Sequence, residues 1–493
     1  MLVNVDLAPG VYANGTARQA KNRWRLSNLV RWPDGQNLQP VGGWITRITA
    51  GALSGLARSV VAWIDNTSTR WLGIGTHSGL YVMSASGAIS NITPTGFAAG
   101  YADASAGGGY GSSFYGQSTY GTPRADTSNV TPASVWTLDV WGQFLVGCMQ
   151  PEGRLYIWEL DTAQGALPIT NAPTGCVGLV VTDERFIFAL RERNVAWCAQ
   201  GNEADWSPTA SNQAGDQDID TAGQIMCGKP ITGGTLIFTT ADVWIARYQG
   251  LPTVYGFYKA GADCGIVSKG AAVALDSRCV WMGPDGFYIY NGYVQSLPSD
   301  VADYVFSNIN RQQFSKVSAF HNAGFNEVWW FYPSGSSNEN DSYAVWNYQR
   351  NIWYFGSLQR TCGVVPGVFT YPVCIDADGG VWEHENGWNW SGATPYAQSG
   401  PFEWPGEMGG ADRRMMVKGF VGDEAVQGQS QATFYGREWP NATATTFGPY
   451  TISSAPVDVL FTTRELEMKV EITAPADARV GTFQLDLQSV NRR

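Results

Sequence analysis

Val280-Trp281-Met282-Gly283-Pro284-Asp285-Gly286-Phe287-Tyr288-Ile289-Tyr290 is the stretch on which the fold turns. A short β-branched and aromatic run meets an Asp-Gly turn and returns as a second run rich in Tyr, which is the chemistry of an antiparallel hairpin. The same phrase recurs along the chain. Trp71-Leu72-Gly73-Ile74-Gly75 is answered by Gly79-Leu80-Tyr81-Val82, and Phe144-Leu145-Val146-Gly147 by Arg154-Leu155-Tyr156-Ile157-Trp158. Val328-Trp329-Trp330-Phe331 is answered by Tyr343-Ala344-Val345-Trp346, and Val373-Cys374-Ile375 by Gly380-Val381-Trp382-Glu383. The returning runs, near 196, 244, 288, 345 and 382, are roughly 37–57 residues apart, the size of one four-stranded propeller blade. The reading is therefore all-β. A β-propeller of six to eight blades is expected over 55–398, with stacked sandwiches as the rival arrangement.

The rest of the composition agrees with short strands and tight turns. The 493 residues include 58 Gly, 21 Trp, 22 Tyr and 21 Phe, and only 15% are charged, which argues against disorder and against long helices. Beyond Pro401 the style changes to longer alternating strands, as in Val457-Asp458-Val459-Leu460-Phe461-Thr462 and Leu466-Glu467-Met468-Lys469-Val470-Glu471-Ile472. Period two over six or seven residues marks half-buried antiparallel strands. A platform is expected here, as a sandwich-like module over 399–493 or as a sheet shared with an N-terminal arm, 1–54.

That arm carries Arg23-Trp24-Arg25 and Arg31-Trp32-Pro33-Asp34-Gly35 without helical period. Two readings stay open: a stapled edge segment, or an anchor in which Arg23, Trp24, Arg25, Arg31 and Trp32 grip a neighbouring subunit. A second candidate interface is the Gly- and Tyr-rich insertion 96–124, with Tyr101, Tyr110, Tyr115, Tyr120 and Arg124. It is either a surface linker or a contact surface in which Tyr gives area at little entropic cost.

Charge is uneven. The net charge is −11, yet residues 1–70 hold eight Lys and Arg against three Asp, so the remainder has a balance of −16. The excess of acid excludes a chain that clamps nucleic acid over its whole surface. Arginine outnumbers lysine 24 to 7, which suits fixed, bidentate contacts.

Catalytic signatures are missing from the sequence. His77, His321 and His384 stand far apart, and no zinc-binding, nucleophile-elbow, P-loop or dinucleotide motif is present. The acidic runs Asp216-Gln217-Asp218-Ile219-Asp220 and Asp376-Ala377-Asp378, with Glu383 and Glu385, read first as solvated turns and second as calcium or glycan-acting carboxylates. No cofactor and no metal are expected. The eight cysteines include no C-x-x-C pair and read as buried thiols of a protein made in the cytoplasm. No secretory signal and no 18-residue apolar span are seen.

Taken in order, several phrases resemble the tail-nozzle proteins of short-tailed bacteriophages, the group that includes tail tubular and packaged-DNA-stabilisation proteins. They are Pro9-Gly10-Val11-Tyr12, Lys21-Asn22-Arg23-Trp24, Asn28-Leu29-Val30-Arg31-Trp32 and Gly42-Gly43-Trp44, then Leu72-Gly73-Ile74-Gly75-Thr76, the Tyr-Gly loop ending at Arg124, Asp205-Trp206-Ser207-Pro208, and Glu327-Val328-Trp329-Trp330-Phe331-Tyr332-Pro333. The resemblance implies a propeller with a platform built from the chain ends. It implies six copies in a ring around the DNA exit channel of the virion tail, in contact with portal-adaptor proteins and tail fibre or needle proteins, with genomic DNA in the lumen. It implies no catalytic residues. A glycan-binding or glycan-cleaving propeller, and another head-tail adaptor or plug, are the alternatives.

Overall fold

The computed structural model describes residues 1–48, 51–106, 130–403, 414–440, 442–453 and 455–490. Among them, seven four-stranded antiparallel sheets follow one another along the chain, at 57–91, 136–168, 178–218, 225–261, 272–297, 318–357 and 362–384. The innermost strands, Ala57–Ile64, Trp136–Trp141, Gly178–Val181, Ile225–Ile231, Ala272–Leu275, Ser318–Asn322 and Cys362–Val364, each neighbour the next, and the last returns to the first. The chain is thus a closed seven-bladed β-propeller.

Each phrase read from the sequence is the middle hairpin of a blade. Arg278–Met282 pairs with Phe287–Tyr290, and Glu327–Tyr332 pairs with Ser342–Asn347. These strands are covered on both faces by adjacent blades, so they are largely apolar rather than alternating. Glu327–Tyr332 and Ser342–Asn347 are buried at every position. Trp136, Trp158, Trp281, Trp330 and Trp353 are fully buried between blades. Removing one such indole leaves a cavity that costs about 3–5 kcal/mol.

The seventh blade is completed from far away in the chain. Its inner three strands come from 362–384, and its outermost strand is Trp44–Ile48, paired antiparallel with Val381–His384. Residues 44–48 lie within the stretch read from sequence as arm, yet they belong to the propeller.

The platform is a two-sheet sandwich that uses both chain ends. One sheet runs in the order Leu2–Val5, Val480–Val490, Arg414–Glu424, Val457–Thr463. The other runs Ala8–Val11, Arg23–Asn28, Tyr396–Ser399, Glu465–Ile472, Ser430–Arg437, Thr445–Thr451. Phe420, Phe434, Phe461 and Phe483 fill the space between the sheets, and Phe447 stacks on Phe461 at 4.0 Å.

Sandwich and propeller share one apolar core. Trp24 meets Trp32 at 6.1 Å, Trp32 meets Tyr354 of the sixth blade at 6.0 Å, and Ser27 Oγ donates to the Phe355 carbonyl. The described helices are short, and none is long and apolar enough to cross a membrane.

Candidate functional site

The densest polar cluster joins arm to ring. Val30–Arg31 pairs with Gln39–Pro40 across a turn in which Asp34 Oδ1 accepts from the amides of Gln36 and Asn37. This hairpin drives Arg31 between the sixth and seventh blades, where the side chain is 1% exposed. Its guanidinium grips Glu385 through two nitrogens, at 2.8 and 2.5 Å, and lies 3.0 and 3.1 Å from the two oxygens of Glu327. It also covers the Phe325 ring at 3.7 Å.

Glu327 further accepts from Tyr354 and from Trp329 Nε1, and Glu385 from Asn322 and the Gly42 amide. Burial by itself would push the Arg31 guanidinium down, and the two carboxylates outweigh it and hold it above its ordinary value. Burial pushes Glu327 up against the pull of Arg31. Gly42 and Gly43 are small by necessity, because a Cβ would stand 2.7 Å from Glu385 Cα and 2.3 Å from the Asn389 amide nitrogen.

Burial corrects part of the interface expectation. Trp24, Arg31 and Trp32 are 5%, 1% and 2% exposed within this one chain, so none has side-chain surface left to grip a neighbour. The reason is the shared core, which the sequence could not place. Arg23 pairs with Asp300 at 2.6 Å, and Arg25 reaches the Gly15 carbonyl, both partly exposed. Tyr101 is half exposed. Tyr110, Tyr115, Tyr120 and Arg124 lie outside the described residues.

The two chain segments that flank 107–129 are fixed side by side at one mouth of the central channel. Ser105–Ala106 pairs with Val130–Thr131. Lys316 Nζ holds Asp103 at 2.5 Å and Glu339 at 2.7 Å, and Glu339 also takes Arg58 at 2.7 Å. Gln313 bonds both the amide and the carbonyl of Ala104, and Ser315 accepts from the Ala133 amide. Behind this mouth, residues of six blades, with Lys269 and Gly270 just ahead of the fifth, line a cavity of about 260 Å³. That is the scale of a small-molecule site and not of a passage for a duplex.

Of the carboxylates read as possible chemistry, Asp376 holds a turn. Asp376 accepts from the amides of Asp378 and Gly380 with one oxygen and from Trp382 Nε1 with the other. Asp65 does the same for Thr67, Thr69 and Trp71, hydrogen bonds that hold it down to about 2. Asp216 and Asp218, read as turn residues, lie instead on the outermost strand of the third blade, Gly215–Asp218, where both accept from Asn194 on the adjoining strand. Among the described residues no group of three or more His, Cys, Asp or Glu is placed to hold a metal ion.

The histidines are structural too. His77 Nδ1 accepts from the Leu56 amide, and His321 meets the Tyr348 hydroxyl. His384 Nε2 accepts from Arg360 and stacks on Trp44, and burial together with the nearby arginines holds it well below its ordinary value, hence neutral.

All eight cysteines are free and buried. Burial pushes Cys176, Cys227 and Cys264 up to about 11, and Cys198, Cys279 and Cys362 up to about 12. Native protein at pH 8 is expected to yield fewer than about one rapidly reacting thiol per chain with Ellman's reagent, because thiolate and access are both lacking. Denatured protein is expected to yield all eight.

The sequence did not single out Glu327, Lys316 or Lys269. A signal existed for the first: a carboxylate at the head of the otherwise apolar run 328–332 requires a buried cation. For the buried Lys316 and the half-buried Lys269 no local pattern marks the position.

No family model and no curated protein sequence matches the chain. Among solved structures it is similar to a streptogramin B lyase, at 8% identity over 68% of this chain and 95% of that one, with a TM-score of 0.40. It is also similar to virginiamycin B lyase from Staphylococcus aureus, at 7% identity over 68% and 97%, with a TM-score of 0.41. A chain of a mitotic checkpoint complex matches at 9% identity over 70% and 95%, with a TM-score of 0.41. No residue role is carried over from proteins this distant.

Proposed function

We propose that the chain is a structural, non-catalytic subunit of a virion tail. Six copies form a nozzle ring around the DNA exit channel below the portal and adaptor, retain the packaged genome and pass it out at infection. The observation that carries this reading is the platform: a sandwich made from both ends of the sequence and fused to the propeller through one core, with sheet edges, Thr445–Thr451 and Val457–Thr463, that pair with no further strand among the described residues.

The edge strand Thr445–Thr451 is largely exposed, and on the neighbouring edge strand Leu460 is 76% exposed. Trp439, under Arg464 at 4.3 Å, is 60% exposed close by. Open edges and apolar side chains of this kind are covered in stable assemblies. The phrases that carry the family resemblance are also the residues that build the joint, from Trp24 and Arg31 to Gly42 and Gly43.

The DNA passage in this reading lies between copies, since the channel within one propeller is too small. A lumen drawing on the acidic body would repel phosphate and let DNA slide without adhering. A glycan-cleaving role is disfavoured by Asp376, whose two oxygens are taken up by its own turn.

Light scattering coupled to gel filtration, followed by electron microscopy of intact virions, is expected to give a sixfold ring on the tail axis. A protein that stays monomeric at high concentration, together with labelling that puts it off the axis, would overturn the reading.

A further inference from the structure

We propose that the cavity at the channel mouth is a binding site for a small carboxylate with an apolar body, its anionic head seated on Lys269 Nζ. The cavity measures about 370 Å³, within the range of small-ligand sites. Its walls include Pro132, Val135, Pro151, Val177, Ile225 and Met226, supplied by the stem of the insertion and by the second, third and fourth blades. Lys269 lines both this cavity and the channel behind it, and its ammonium bonds Val177 and Gln150, which also line the cavity.

That ammonium lacks a counter-charge. Its hydrogen bonds go to the Val177 carbonyl and, at 3.4 Å, to Gln150 Oε1, both neutral acceptors. Among the described residues no carboxylate lies within ion-pairing distance of it, in contrast to Lys316 and Arg58 a short way off, which share Glu339. The ionisable groups that act on Lys269 are Cys148 and Cys227, thiols kept protonated by burial, and burial pushes Lys269 itself down.

A cation without a partner among largely apolar walls is costly, and a ligand carrying one negative charge removes the cost. One ammonium fits one carboxylate, whereas a phosphate dianion would need further donors. The remaining volume, faced by proline, valine, isoleucine and methionine, suits a hydrocarbon or aromatic body.

The probe is octanoate, with octan-1-ol as its uncharged counterpart, titrated calorimetrically into the full chain and into Lys269→Met. Octanoate is expected to bind the native chain one to one and to bind Lys269→Met about tenfold or more weakly, the worth of one charge-assisted hydrogen bond, while octan-1-ol distinguishes the two by far less. Equal affinity of octanoate for both chains, or no binding to the native chain, overturns the proposal. Trace acetylation of the native chain gives a second reading that requires no substitution. Saturating octanoate is expected to slow modification of Lys269 relative to the other lysines, and an unchanged rate at Lys269 counts against the site.

Discussion

Replacing Arg31 by methionine is expected to lower the stability of the folded chain by about 3–5 kcal/mol, read as a shift of the urea midpoint at pH 7. The size follows from what is left behind. Glu327 is 1% and Glu385 10% exposed, and both would face each other without the guanidinium that now lies between them. Arg31→Lys is expected to recover only part of the loss, since an ammonium cannot grip two carboxylates bidentately.

The deficit should depend on pH with a defined sign. Glu327 is raised in the folded protein, so its contribution to stability is present below its unfolded value and declines as pH rises through its folded value. Without Arg31 that folded value rises further. The gap between the variant and the native chain is therefore expected to be wide at pH 7 and to narrow towards pH 5. A gap that stays constant between these pH values would mean that lost packing over Phe325, and not uncompensated charge, sets the cost.

Deleting residues 1–48 is expected to abolish cooperative folding. The deletion removes the outer strand of the seventh blade, three platform strands, and the Trp24, Arg31 and Trp32 side chains of the shared core. Each of those three buried side chains is worth on the order of 3–5 kcal/mol, against a net stability of about 5–15 kcal/mol for a typical protein. The expected outcome is insoluble protein, or soluble protein without a thermal transition, with recovery when segment 1–48 is co-expressed as a separate chain. A cooperative transition within a few degrees of the native chain would show that the ring closes without its seventh outer strand.

The Arg31 replacement and the 1–48 deletion probe the parts of the molecule that the sequence conceals. The middle hairpins of the blades were legible because strands covered on both faces must be largely apolar, and Trp281, Trp330 and Tyr343 announce that. The alternating runs 457–462 and 466–472 were legible for the complementary reason. Trp44–Ile48 was not, because an outermost strand has one wet face and its partner Val381–His384 is more than three hundred residues away. Nor did any local pattern tell that Arg31 and Trp32 would turn inward, since a buried arginine is defined by carboxylates contributed from 327 and 385. The Asp376 turn resembled a site for the same reason that it is structural: a carboxylate amid Gly and Trp can serve several donors, and here those donors are its own neighbours.

The long-range closure of the seventh blade has a consequence for synthesis. Trp44–Ile48 leaves the ribosome long before its partner at 381–384, and translation at about 5–20 residues per second imposes a delay of roughly 15–70 s. Throughout that interval the first 48 residues carry Trp24, Trp32 and Trp44 with no core to enter. The ring cannot close before the strand ending at His384 has been made, nor the sandwich before the strand ending at Val490. The blades in between are local units that can form in order of emergence. The stretch 1–48, by contrast, waits for strands made much later, and its joining to 381–384 and 483–486 is a late event in folding.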